Sequence, residues 1–375
     1  MARQAARIAV IGIHGFGASH VLNAGQVGQL VAVVDPRPPT PGTPAAAADV
    51  RWFADLDSLL AADLELDAAV VCTPLHTHAP LTAALLRAGV DVLLEKPPTT
   101  TLAEFDELLT VAAQTGRLCQ VGFQSLGSDA LRRVHELVES DAVGSVTHVG
   151  AVGIWVRERA YWQRTDWAGK RQLDGRPVVD GVITNPLAHA TATALRLAGA
   201  RKVDDIATIE LELFHANEIQ ADDTSAIRIE TVDGPPVVGG LTLCAETQRA
   251  PWVTVYGTTG SIRLDYTRDR VHWTQNDGTA VTTEHGRTDL LTNLIAARHG
   301  SAPLLNPLAD NGAFMRVMEA VRTAPEPQPI PASYVRWEGE GLAARPIVLG
   351  IDEALQQLAA QAAPLSRFGW QPLAS

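Results

Sequence analysis

Five short apolar runs in the first third of the chain, separated by helical patterns, restrict the fold more than any other feature. They are "RIAVIG" (7–12), "LVAVVD" (30–35), "DAAVVCTP" (67–74), "DVLLEKP" (91–97) and "LCQVGF" (118–123). Most are nearly continuous in Val, Ile, Leu and Ala, as strands buried on both faces of a parallel sheet must be, whereas half-exposed strands alternate. Helical patterns fall between them at 15–24, 55–62, 79–88 and 102–115, and the last opens with Thr101 and Glu104 in capping-box spacing. Strand alternating with helix predicts a Rossmann-type, doubly wound α/β domain whose ligand crevice lies at the carboxyl ends of the strands.

A chain of 375 residues exceeds what one core ordinarily serves, so a second domain is expected. The texture changes after residue 124: a helix at 128–139 leads into "GSVTHVGAVGIWV", and from about 204 to 275 strand-like runs such as "TIELELF", "SAIRIETV", "VVGGLTLC" and "WVTVYG" follow one another between Gly, Asp and Asn turns. This predicts an α+β domain with a large, mainly antiparallel sheet over 125–330, after a dinucleotide-binding domain over 1–124. Helices at 186–198, 288–299 and 307–323 are available to cover one face. The other face is a candidate interface for a homodimer or homotetramer. "PRPPTPGTP" (36–44) is a loop, and "APEPQPIP" (324–331) reads as a linker to a C-terminal extension, 331–375, with a helical pattern at 350–362.

A net charge of -12 and a pI near 5.4 argue against a general affinity for nucleic acid or anionic membranes and point to small polar partners. Cys72, Cys119 and Cys244 stand singly in apolar runs, as buried thiols of a reducing compartment do. The apolar stretch after Arg3 and Arg7 ends at His14, too short for a signal-peptide core, so the expected location is cytoplasmic.

The first strand runs into Gly12-Ile13-His14-Gly15-Phe16-Gly17, a G-x-G-x-x-G turn with histidine in place of the middle glycine. Asp35 closes the second strand about twenty residues on, where a carboxylate accepts hydrogen bonds from an adenosine ribose. That acid favours NAD over NADP, although Arg37 is a candidate partner for a 2'-phosphate.

Several motifs in order carry a resemblance to the Gfo/Idh/MocA family of sugar and cyclitol oxidoreductases. They are the glycine turn with His20 three residues after it, "CTPLHTHAPLTAALLRAGVDVLLEKPPTTT" (72–101), "QVGF" (120–123) and "VGSV" (143–146). The resemblance implies an NAD-binding domain with cofactor contacts at Gly12, His14, Gly15, Phe16, Gly17, Asp35, Arg37, Thr73, Pro74, Leu75, His78, Glu95, Lys96 and Gln124. It makes Lys96 the catalytic lysine, often followed by a cis peptide bond to proline. Two departures mark a divergent branch: Leu75 replaces an asparagine and Gln124-Ser125 replaces N-R.

Relatives usually carry D-x-x-x-H ahead of a Leu-x-Gly. Here "NPLAHATATALRLAG" (185–199) aligns His189 with the catalytic histidine and puts Asn185 in the acid position, while Ala192 replaces a further acid. Asp180, Asp166 and Asp174 are the candidates for the missing carboxylate. Between 155 and 176 lie three Trp, one Tyr, five Arg and one Lys. Aromatic faces stack on sugar C–H surfaces and arginine forks bind hydroxyls or carboxylates, so Arg157, Tyr161, Trp162 and Arg164 join Lys96, Asn185 and His189 as substrate-binding candidates.

The expected activity is NAD-dependent oxidation of a secondary hydroxyl of a sugar, glycoside or cyclitol, its proton passing to Lys96 or His189. The alternative keeps the cofactor but cleaves a glycoside by transient oxidation, elimination, water addition and re-reduction, on a substrate that carries an acidic group. A non-catalytic NAD-linked binding protein ranks last, because Lys96 is retained.

Overall fold

The computed structural model describes residues 5–274 and 278–368, so Arg3 and the end of the extension, 369–375, lie outside the described residues. Two compact units emerge, Met1–Gly127 with Thr288–Asn311, and Ser128–Arg287 with Gly312–Ser375.

The first unit holds a six-stranded parallel sheet of β1 (Arg7–Ile11), β2 (Gln29–Val34), β3 (Arg51–Phe53), β4 (Ala68–Val71), β5 (Asp91–Leu94) and β6 (Cys119–Val121), in the order β3-β2-β1-β4-β5-β6. β4 and β5 are buried along their whole length and β1 from Ile8 onward, as their apolar runs demand. The order reverses at β1, which lies between β2 and β4, and this opens a crevice beyond Ile11 and Val71. Helices α1 (Gly17–Val27), α2 (Leu56–Ala61), α3 (His78–Arg87) and α4 (Leu102–Thr115) make the crossovers. Thr101 caps α4, its hydroxyl accepting from the Glu104 N–H at 3.2 Å.

Two features of this unit depart from the sequence reading. β3 was not foreseen, because it is a three-residue, largely exposed edge strand with no apolar run. The eighth helix in chain order, α8 (Leu290–Arg298), covers this sheet rather than the second one. Leu290, Leu291 and Leu294 enter the core beside Ile8, Val10 and Leu93. Arg298 reaches Asp67 and the buried Asp91, both at 2.7 Å, and so neutralises a carboxylate that burial would otherwise penalise.

The second unit is built on a nine-stranded mixed, mostly antiparallel sheet. Its strands are β7 (Val146–Ile154), β10 (Ile206–His215), β11 (Thr224–Thr231), β12 (Val237–Thr242), β13 (Trp252–Gly257), β14 (Ser261–Asp265), β15 (Arg270–Thr274), β16 (Ala280–Glu284) and β17 (Gln328–Pro329). A small hairpin of β8 (Gln172–Leu173) and β9 (Arg176–Pro177) lies apart from it, as does a second of β18 (Val335–Glu338) and β19 (Arg345–Val348). Strand order is β16-β15-β14-β13-β7-β12-β11-β10-β17, so the stretch expected as a linker adds an edge strand, parallel to β10. Pro329 is compatible with that place because an edge strand has one unpaired side.

Helices α5 (Asp129–Glu139), α7 (Ala188–Leu197) and α9 (Gly312–Thr323) pack on the sheet, and α6 (Arg159–Trp162) is a single turn. α10 (Ile351–Gln361) lies over β7 and β12 on the face left open in the sequence reading as an oligomer interface. Ile351, Ala354, Leu355, Leu358 and Ala359 form its buried stripe. The helix approaches closely because the sheet presents glycine: a Cβ on Gly150 would stand 2.7 Å from the Ala359 carbonyl oxygen, and one on Gly240 2.9 Å from the Leu355 side chain. The extension therefore belongs to the core of this unit, and the centre of that face is already covered.

Candidate active site

In the first unit the chain leaves β1 at Gly12, with φ at +85°, and its N–H donates to the Val34 carbonyl at 2.8 Å. A Cβ on Gly12 would stand 2.2 Å from the Cys72 carbonyl oxygen, and one on Gly17 2.0 Å from that of Gly12, so close backbone approach requires both glycines. Gly15, with φ at +61°, has open space instead, with nothing beyond its chain neighbours within 4 Å of a Cβ position. α1 starts at Gly17, two residues later than the pattern suggested, with Phe16 at the N-cap and exposed.

His14 lies against Asp35. Its Nε2 stands 3.7 Å from Asp35 Oδ1 and is buried without a hydrogen-bond partner. Asp35 accepts from the Ile13 N–H at 3.2 Å and the Arg37 N–H at 3.0 Å. The Arg37 guanidinium is 73% exposed and 3.7 Å from the same carboxylate. A backbone turn open at Gly15 and a carboxylate at the end of β2 suit the pyrophosphate and adenosine ribose of NAD.

β4 and β5 end in two turns that are tied together. Thr77 Oγ1 donates to the Pro74 carbonyl at 2.7 Å and lies 2.6 Å from Thr73 Oγ1, closing the turn in which Leu75 sits. His78 opens α3, its Nδ1 lying 2.8 Å from the Pro97 carbonyl and its Nε2 2.9 Å from that of Thr73. Burial lowers its pKa against the pull of those carbonyls. Lying between these two backbone carbonyls, with its one N–H when neutral donating to one of them, His78 bridges the "TP" turn and the "EKP" turn.

The Lys96–Pro97 peptide is cis, and Lys96 is half-buried, two residues past the end of β5. Glu95, which is buried, receives a hydrogen bond from Gln124 Nε2 at 3.1 Å and the Lys96 N–H at 3.1 Å, and its Oε1 lies 2.9 Å from His20 Nε2. Burial alone would raise this carboxyl, but the bond and charge of His20, with Lys96, outweigh it and hold the pKa below the usual range. Gln124 thus reaches Glu95. His20 joins the network although its only sequence signal was its place after the glycine turn.

The second unit supplies a separate cluster. Asp180, fully buried, accepts from Arg164 Nη2 at 3.1 Å, the Gly169 N–H at 2.8 Å and Asn185 Nδ2 at 2.5 Å. Of the three candidate acids it alone stands beside Asn185, whereas Asp166 and Asp174 are exposed, the latter in a turn with φ at +50°. The 2.5 Å bond fixes the direction of the Asn185 amide. Asn185 lies in the turns before α7 rather than on the helix, since a residue preceding proline resists the helical conformation, and half-buried His189 is the second residue of α7.

The loop before Asp180 is held firmly. Val179 has φ at +55°, unusual for a β-branched residue, and its neighbours are pinned by Val178 N–H to the Arg171 carbonyl (2.9 Å) and Asp180 N–H to that of Lys170 (3.0 Å). Such strain costs on the order of 1–3 kcal/mol and persists only where surroundings enforce it. Arg164 stacks 3.8 Å over Tyr161 and 4.7 Å over Trp167, and Arg157 lies 4.6 Å over Trp155 and 5.2 Å over Tyr161. Burial first, and Asp180 second, push the Tyr161 hydroxyl up to about 12, so it is a neutral donor at ordinary pH. Trp162 is buried, its ring meeting that of Tyr161 edge-on with centroids 4.9 Å apart.

Comparison with known proteins bears on both units. Residues 6–123 match the family model described as "Oxidoreductase family, NAD-binding Rossmann fold", and residues 131–263 match the GFO/IDH/MocA C-terminal domain. The chain belongs to the Gfo/Idh/MocA family. Its first unit is accordingly an NAD-binding Rossmann domain. The chain is 31% identical over 198 residues to the UDP-N-acetylglucosamine 3-dehydrogenase of Acidithiobacillus ferrooxidans, a match covering 53% of this chain and 56% of that protein. It is 33% identical over 150 residues to the inositol 2-dehydrogenase of Leifsonia xyli subsp. xyli, covering 39% and 44%. The matched stretches thus span about half the length of these Gfo/Idh/MocA relatives. Among solved structures, the WlbA dehydrogenase of Bordetella pertussis, in complex with NADH and UDP-GlcNAcA, superimposes with a TM-score of 0.69 at 20% identity over 85% of this chain and 95% of that one. The A. ferrooxidans UDP-N-acetylglucosamine 3-dehydrogenase GnnA gives 0.69 at 20% identity over 85% and 97%. These structures share the two-domain Gfo/Idh/MocA fold.

Proposed function

We propose that this chain oxidises a secondary hydroxyl of a sugar, glycoside or cyclitol, or reduces the corresponding ketone, with NAD as the redox partner. NAD supplies a hydride acceptor or donor at its nicotinamide ring. Lys96 is assigned the proton and the stabilisation of charge developing on the reacting oxygen. Glu95, ionised and fixed by His20 and Gln124, positions that lysine's turn. In the second unit Asn185 and Tyr161, oriented by Asp180 and Arg164, are assigned to substrate hydroxyls, with His189 as the other candidate proton acceptor.

The observation that carries this reading is the turn after β5, a lysine at the carboxyl end of a strand of an NAD-binding domain, backed by a buried and hydrogen-bonded carboxylate. The matched relatives named above are both dehydrogenases, which favours net redox over redox-neutral glycoside cleavage.

Incubation with NAD and a panel of sugar nucleotides, glycosides and cyclitols tests it, with NADH absorbance as the readout. Stoichiometric NADH with one class of substrate is expected, and Lys96→Ala should cut turnover by about 100-fold or more while NAD still binds. Turnover unchanged by that substitution would remove Lys96 from the mechanism. Release of an aglycone without accumulating NADH would replace this reading with glycoside cleavage.

A further inference from the structure

The C-terminal extension does more than cover the sheet. Its hairpin forms one wall of a cavity of about 580 Å³ in the second unit, whose other walls include Arg159, Trp162, Lys170, Glu218 and Gln220. That volume is in the range of small-molecule sites. We propose that this cavity binds an acidic sugar, of the hexuronate kind, independently of the redox reading above.

Four observations support a built site. Trp337, on β18, is 46% exposed, a large indole kept in solvent, and the Arg159 guanidinium lies 5.6 Å over its ring. The Arg159 N–H donates to the Ala344 carbonyl at 2.8 Å, so the hairpin is anchored beside α6 and Trp337 is held in place. Trp162, across the cavity, has a buried indole Nε1 without an acceptor. Lys170 and Glu218 have no ion-pair partner among the described residues, so the walls offer one carboxylate against two cationic groups, a local positive excess on a chain of net charge -12.

These groups select a chemical class. Indole faces meet the C–H surface of a pyranose, Glu218 and Gln220 accept from its hydroxyls, and Arg159 and Lys170 pair with a carboxylate. A purely apolar ligand would leave the charged groups unmatched. Gly169 lines the same cavity and donates its N–H to Asp180 at 2.8 Å, whereas Arg164 is not among the cavity's lining residues.

Calorimetric titration of the full chain, without NAD, with glucuronate, glucose and myo-inositol tests the proposal. Saturable binding of glucuronate is expected, with glucose and inositol weaker, and Trp337→Ala and Lys170→Gln should each weaken glucuronate by about tenfold, as loss of a stacking or charge-assisted contact does. Arg164→Ala should leave it within about twofold, since Arg164 belongs to the Asp180 cluster. Absence of glucuronate binding would overturn the proposal. So would binding that survives both cavity substitutions or falls only with Arg164→Ala, and glucose binding as tightly would overturn its acidic part. Trp337 is exposed, so its replacement leaves the core intact, and an unchanged melting temperature verifies this.

Discussion

At the scale of single residues, the glycine turn shows how space and backbone conformation divide the work. Gly12 and Gly17 are required by carbonyl oxygens 2.2 and 2.0 Å from any Cβ, whereas the middle glycine of the pattern is dispensable because the His14 ring lies against Asp35. Gly12→Ala should therefore weaken NAD binding by about tenfold or more, and His14→Gly should leave it within about threefold, both read by fluorescence titration. A large loss in His14→Gly would make the imidazole a ligand of the cofactor. The spacing of glycines was legible in the sequence. That Asp180 rather than Asp166 or Asp174 stands beside Asn185 was not, because the choice depends on how the 164–180 loop folds back, with Val179 in a conformation that no propensity favours.

At the scale of elements, buried parallel strands were the most legible, since their apolar runs are uninterrupted and local. Helices were found nearly as well, but their destinations were not. α8 follows the antiparallel strands in sequence yet packs on the parallel sheet, and α10 looked like a detached tail yet lies on β7 and β12. Periodicity identifies a buried stripe without naming its partner. Leu355 is fully buried at the centre of that stripe, where Gly240 makes room for it. Leu355→Ala should destabilise the second unit by about 2–5 kcal/mol in urea unfolding, the range for a core leucine whose site collapses incompletely. A loss under about 1 kcal/mol would mean that the extension is dispensable to the sheet.

At the scale of the whole molecule, stability is expected to fall on the alkaline side. Tyr161 is pushed up to about 12, and burial also raises Tyr256 and Tyr266. A phenol whose folded pKa exceeds its unfolded value near 10 adds stability that is fully present below about pH 10 and is lost as pH rises toward its folded value. Urea midpoints should accordingly decline between about pH 10 and 12, and Tyr161→Phe should flatten part of that decline; an unchanged slope would show that this hydroxyl is not desolvated.

The sequence by itself determined the Rossmann domain, the glycine turn with an acid at Asp35, and the lysine after β5, because each is encoded within βαβ units by spacing that the backbone must obey. Tertiary structure alone decided which acid attends Asn185, how His20 and Gln124 hold Glu95, where residues 288–311 belong and what the extension covers. Apart from Asp180 and Asn185, which are five residues apart in a folded-back loop, those contacts join residues far apart in the chain, and only the packed cores, by excluding water and demanding partners for buried charge, select among the pairings the sequence leaves open.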